Sequence, residues 1–211
     1  MKASFQYESA LWKQGFTHVV GVDEVGCGCW AGDVFAAAVI LPSSFRSSLV
    51  QDSKALRKGQ REEVEDWIKT KSIAWAIGRA NLEEIFTLNI RQAALLAMRR
   101  ALEQLQPQPS YVLSDGFLIP GISLPNQKII RGDAKSKSIA AASIIAKVAR
   151  DRYMEDMDQQ YPGYGFAQHV GYGTKQHQDA LERLGPTKIH RMGYRPLKAL
   201  MATKAAADQS S

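Results

Sequence analysis

Val19-Val20-Gly21-Val22-Asp23-Glu24-Val25-Gly26-Cys27-Gly28 and, six residues on, Val34-Phe35-Ala36-Ala37-Ala38-Val39-Ile40-Leu41 are the stretches from which the fold is read. Both contain apolar, β-branched runs, and the turn between them, Gly26 to Gly32, is dense in glycine; together they predict a β-hairpin. The first strand runs directly into two carboxylates, Asp23 and Glu24. Further out, Lys58 to Lys71 mixes Glu, Arg, Ile and Trp as a surface helix does, and Ser72 to Ala80 reads as a third strand. Asn89 to Leu105 places Ile90, Ala93, Ala94, Ala97, Met98, Ala101 and Leu105 at helical spacing, with Pro107 just beyond. Tyr111-Val112-Leu113 and Lys128-Ile129-Ile130 are short strands, each followed by an aspartate; Ser138 to Met157 and Thr174 to Leu184 are helical. This order predicts an α/β protein, a mixed sheet with helices on its faces.

A chain of 211 residues, 45% apolar, can bury one substantial core. The expected organisation is a single domain over residues 1–200, with a flexible tail or frayed helix over 201–211, where Ala, Lys and Ser dominate. No stretch approaches the roughly 18 apolar residues of a membrane span, and the first residues lack the apolar core of a signal peptide, so a soluble, cytoplasmic monomer is expected. Cys27 and Cys29 are too close in sequence for an unstrained bridge, and two ligands without a second pair do not make a zinc site. The formal charge of +6 is unevenly spread: residues 1–126 hold 13 basic and 13 acidic side chains, residues 127–211 hold 14 and 8. Clustered Lys and Arg favour phosphates through counterion release, so the second part is a candidate polyanion-facing surface, although a solvated face has the same composition.

Asp23 and Glu24, Asp115 and Asp133 all stand at strand ends, where open α/β sheets place their sites. Carboxylates gathered at one spot resist ionising together unless a cation neutralises them. An all-oxygen donor set favours Mg²⁺ or Mn²⁺ over zinc, and such clusters serve phosphoryl transfer, with two cations about 4 Å apart on the attacking and leaving oxygens. Each Asp alone reads more readily as a turn residue, Asp115 before Gly116 above all. Adjacent strand residues face opposite ways, so either the strand twists at Gly26 or one of Asp23 and Glu24 meets the metal less directly.

The sequence also resembles the ribonuclease HII family, over roughly residues 18 to 197. The resemblance is carried by Gly21-Val22-Asp23-Glu24-Val25-Gly26, Asp52-Ser53-Lys54, Leu88-Asn89-Ile90, Ser114-Asp115-Gly116, and Gly132-Asp133 followed by Ser138 to Lys147. Tyr161 to Phe166, Gly171-Tyr172-Gly173-Thr174 and Ile189-His190-Arg191 continue it in order. The resemblance implies a ribonuclease H-like fold, a mixed five-stranded sheet flanked by helices with a C-terminal helical extension. It implies Asp23, Glu24, Asp115 and Asp133 as catalytic, Mg²⁺- or Mn²⁺-binding carboxylates. The substrate would be an RNA–DNA hybrid or duplex DNA with embedded ribonucleotides, cut 5′ of the ribonucleotide to leave a 3′-hydroxyl and a 5′-phosphate, as in ribonucleotide excision during DNA repair and replication. Gly26, Cys27 and Gly28, together with Lys54 and Tyr172, would bind that substrate, Tyr172 sensing the 2′-hydroxyl. The segment before Asp23 is too short for the extra N-terminal domain of the sister family ribonuclease HIII.

One loop departs from the family pattern. Gly26-Cys27-Gly28 stands where Gly-Arg-Gly is expected, and Cys29 and Asp33 where prolines are usual. The glycines still let the backbone approach a phosphate. Cys27 supplies no guanidinium, which leaves a catalytically weakened hybrid-binding protein as the alternative reading.

Overall fold

The computed structural model describes residues 3–47, 49–50 and 56–208. The predicted hairpin forms from β1 (Val19–Val25) and β2 (Val34–Ile40), paired antiparallel with Asp23 opposite Ala37 and Glu24 opposite Ala36. β3 (Ala74–Ala80) pairs antiparallel with β2, whereas β4 (Tyr111–Asp115) and β5 (Asn126–Ile129) continue parallel from β1, in the order β3-β2-β1-β4-β5. This is the expected five-stranded mixed sheet of a ribonuclease H-like α/β fold.

Around it run α1 (Gln6–Trp12), α2 (Lys58–Lys71), α3 (Leu82–Leu88), α4 (Ile90–Glu103), α5 (Lys137–Gln160), α6 (Phe166–His169), α7 (Lys175–Leu184) and α8 (Arg195–Asp208). The strands' alternation divides the core. Val20, Val22, Ala36, Ala38 and Ile40 pack with Ala93, Ala97, Met98 and Ala101 of α4, while Ala37 and Val39 pack with Ala141, Ile144, Ile145 and Val148 of α5. A separate cluster joins Met154 and Met157 at the far end of α5 to Phe166, Leu181, Ile189 and Leu197, and so fastens the C-terminal helical part.

Several boundaries differ from expectation for local reasons. Ser72 ends α2, its N–H on the Ile68 carbonyl at 2.8 Å, so β3 begins only at Ala74. Ile130 lies outside β5 and is exposed, and Arg131 adopts the left-handed conformation, so Asp133 sits in a 3₁₀ turn, Gly132–Ala134, beyond the strand end. α1 and α3 are too short to show a clear period. The stretch from residue 201 continues α8 to Asp208, and residues 209–211 lie outside the described ones.

The N-terminus of α5 is fixed from two sides. Glu8 of α1, buried, accepts from the Ser136 hydroxyl at 2.6 Å and the Ser138 N–H at 2.9 Å, placing a carboxylate where the helix dipole favours one. Below it β1 presents Gly21, and a Cβ there would overlap the backbone of Ser138 and Ile139. Gly21→Ala must therefore push α5 off the sheet. The expected loss is about 2–3 kcal/mol, the scale of core overpacking, measured as a lowered urea midpoint.

Candidate active site

β1 and β4 are parallel neighbours with Val22 in register with Ser114, so the next residues, Asp23 and Asp115, come out side by side at one edge of the sheet. Asp115 Oδ1 accepts the Gly132 N–H at 2.6 Å, which draws in the turn that carries Asp133. These three and Glu24 line one pocket of about 480 Å³, with Gly26, Cys27, Gly28 and Tyr172 along its walls. Eight of the nine residues singled out in the sequence thus converge; Lys54 lies outside the described residues.

Asp23 is the most enclosed carboxylate, 5% exposed, and lies on the face covered by α5. Its Oδ1 accepts the Glu24 N–H at 2.8 Å, and its side chain hydrogen-bonds Ser143 of α5. Burial raises its pKa well above the usual carboxylate value, the charges of Glu24, Asp115 and Asp133 raise it further, and the Ser143 hydroxyl opposes them. The opposite facing expected of Asp23 and Glu24 does not separate them: both lie within β1, opposite Ala37 and Ala36, and both line the pocket. Among the described residues no three Asp, Glu, His or Cys side chains are already drawn together closely enough to cage an ion.

Sequence reasoning missed Ser143 and Lys147 of α5 and Arg61 of α2, which also line the pocket. Lys147 and Arg61 share Asp151, at 2.6 and 3.6 Å. Ser143, Lys147 and Asp151 recur every fourth residue, so they share one helix face, a spacing visible in the sequence once that face is known to meet the strand ends.

The glycine-rich loop is shaped by buried guanidiniums. Arg150 of α5 donates to the carbonyls of Ala31 (3.2 Å), Asp33 (3.1 Å) and Val170 (2.8 Å). Gly26, at φ +98°, leaves no room for a Cβ beside that side chain. Asp33, in place of proline, is buried and ion-paired to Arg79. Cys27 is half-buried, its sulfur 4.0 Å from Glu24 Oε1; burial, and next the Glu24 charge, push its thiol up to about 12. Tyr172 is 42% exposed across from Gly28, whose added Cβ would stand 3.6 Å from the tyrosine ring.

A mixed five-stranded sheet with carboxylates gathered at the ends of its central strands defines a ribonuclease H-like nuclease. The structure of ribonuclease H2 from Pyrococcus horikoshii superposes with a TM-score of 0.74 over 89% of this chain and 98% of that one, at 23% identity. The Ribonuclease HII family profile matches residues 20–196, and the chain belongs to that family. It is 45% identical to the ribonuclease HII of Myxococcus xanthus over 100% of this chain and 72% of that protein. With the Pelotomaculum thermopropionicum enzyme it shares 50% over 91% and 73%. The protein is accordingly a type 2 ribonuclease H, a hydrolase of phosphodiester bonds.

A thiol held protonated is a poor nucleophile. In chelator at pH 8, Cys27 should react with iodoacetamide at least about tenfold more slowly than an unperturbed thiol, because the rise of its pKa to about 12 removes more thiolate than the greater nucleophilicity of that thiolate restores. Mass spectrometry of the Cys27 peptide over time measures it, and labelling at the rate of free cysteine refutes the assigned burial.

Proposed function

We propose that this enzyme cuts the RNA strand of RNA–DNA hybrids and the bond on the 5′ side of ribonucleotides embedded in duplex DNA, leaving a 3′-hydroxyl and a 5′-phosphate. The observation that carries the reading is the meeting of Asp23, Glu24, Asp115 and Asp133 in one pocket that the exposed Tyr172 also lines. The carboxylates bind Mg²⁺ or Mn²⁺: burial raises the Asp23 pKa most, and the repulsion of its neighbours, which raises it further, is what a divalent cation relieves. A hard cation that keeps several waters and takes one or two carboxylates plus phosphate oxygens suits a donor set that is not a closed cage. Bound there, such cations supply charge stabilisation to the attacking and leaving oxygens of an in-line displacement.

The remaining roles belong to the chain itself. Asp115 holds the Asp133 turn through the Gly132 N–H, and Ser143 orients the Asp23 carboxylate. Gly26 and Gly28 admit the substrate backbone, while the Tyr172 ring packs on the sugar and tests for the 2′-hydroxyl. The Cys27 thiol is neutral at pH 7 and adds no charge toward a phosphate, which favours the second reading, a binder that turns over slowly. A labelled DNA duplex with one ribonucleotide decides. The expected result is a single cut on the 5′ side with Mg²⁺ or Mn²⁺ and none in chelator. Binding without a cut supports the second reading, and equal cleavage of an all-DNA duplex refutes both. Asp115→Asn and Asp133→Asn should abolish the cut, with a metal-free thermal midpoint unchanged or higher, because each removes a like charge from the cluster.

A further inference from the structure

His190 and Arg191 are adjacent, each 3% exposed, and neither lines the carboxylate pocket. Their side chains reach two different walls of it. The Arg191 guanidinium donates to the carbonyls of Gly26 (2.8 Å), Cys27 (3.2 Å), Cys29 (2.9 Å) and Gly32 (2.6 Å). Its fifth partner, the Tyr194 hydroxyl at 3.1 Å, itself donates to the Cys27 carbonyl at 2.7 Å. One planar fork thereby sets the path of the loop from Gly26 to Gly32.

His190 reaches the other wall through a relay whose proton positions follow from one donor. The Thr187 N–H donates to His190 Nδ1 at 2.8 Å, and a backbone N–H can only donate, so the His190 proton is on Nε2. That Nε2 stands 3.0 Å from His177 Nε2, which must accept, leaving the His177 proton on Nδ1, where it donates to the Tyr172 carbonyl at 2.9 Å. His169, stacked on His177 with ring centroids 4.4 Å apart, accepts the Gly171 N–H at 3.2 Å and fixes the residue before. Burial pushes His177 and His190 down to about 4, so the relay is neutral and keeps one direction near pH 7.

We propose that Arg191 and His190 are positioning residues for ribonucleotide recognition: Arg191 sets the Gly26–Cys27–Gly28 loop and His190, through His177, sets Tyr172, so that one segment fixes the two neighbouring substrate-facing elements against each other. The backbone between them is continuous with this task, since Arg191 N–H donates to the Trp30 carbonyl and Trp30 N–H to the Gly171 carbonyl, both at 2.7 Å. The inference rests on the reading that the loop and Tyr172 meet the ribonucleotide. Small misplacements matter in such a site, where about 1 Å costs on the order of a hundredfold.

The test uses the full chain with Arg191→Lys, His190→Leu and His190→Gln. Steady-state cleavage of a single-ribonucleotide duplex is measured alongside Mn²⁺ affinity by calorimetry without substrate. Arg191→Lys and His190→Leu should raise KM about tenfold or more while kcat falls less and Mn²⁺ affinity is unchanged, because the carboxylates are held by other bonds. His190→Gln places an amide N–H where Nε2–H was and should return KM to within about threefold of the parent. Folded variants with parental KM overturn the proposal, as does a His190→Gln no better than His190→Leu, or losses that track only folded fraction or Mn²⁺ binding. If Arg191→Lys fails to fold, the His190 pair carries the test. A parent protein that binds single-ribonucleotide and all-DNA duplexes equally refutes the reading of the loop and Tyr172 itself, and is recognised before any variant is compared.

Discussion

α5 can lie against β1 only because Gly21 has no side chain, and nearly everything that makes the pocket depends on that approach. The helix enters capped by Glu8 and runs down the sheet face that carries Asp23. Ser143 then falls beside Asp23, Lys147 beside the pocket and Arg150 beneath the loop, each a turn or so apart on one face. Small residues continue the contact: Ala140, Ala141 and Ala142 are buried as fully as any residue of the core. A sheet and a helix packed through bulkier groups would separate by more than a side-chain hydrogen bond can span, and the Asp23 carboxylate would lose its partner on the helix.

Buried charge gathers in two groups of opposite sign, carboxylates at the strand ends and guanidiniums behind the loop, with the Cys27 thiol between them. At the strand ends, four carboxylates crowd together and Asp23 is hard to ionise. Behind the loop, Arg150 and Arg191 are buried against backbone carbonyls. Carbonyl dipoles satisfy the guanidinium donors without placing further anions near the cluster, whose net charge remains available to a divalent cation. Asp33 shows the same economy, since its ion pair is with Arg79 of β3, away from the pocket lining.

Much of this was legible in the sequence where a local rule governed it. The Val19–Val25 and Val34–Ile40 strands follow from their β-branched runs, the Lys58–Lys71 helix from its mixed surface composition and the Ile90–Glu103 helix from its apolar period, though not the cap that Asn89 supplies to it. Asp23 and Asp115 were legible as strand-end residues, but Asp133 reaches the pocket by way of a turn stitched to Asp115, which is a long-range bond. The charge asymmetry says less about place: of the basic residues in the second part, Arg150 and Arg191 are internal, and Lys147, Arg152 and Lys175 are ion-paired. The roles of Ser143, Arg150 and Arg191 depend on which faces meet after folding, and no single stretch of sequence encodes that.

Arg191 holds carbonyls 159 to 165 positions earlier in the chain. During synthesis, the hairpin and α4 can find each other while the C-terminal part is still unmade, because their contacts are closer in sequence. The turn after Asp23 has no such early partner, and its Gly26, Cys27 and Cys29 carbonyls wait for a guanidinium 162 to 165 positions further along the chain. A chain made only as far as α5 can therefore own its carboxylates and a good part of its sheet while the turn beside them is still unset, because the residue that fixes that turn lies further on.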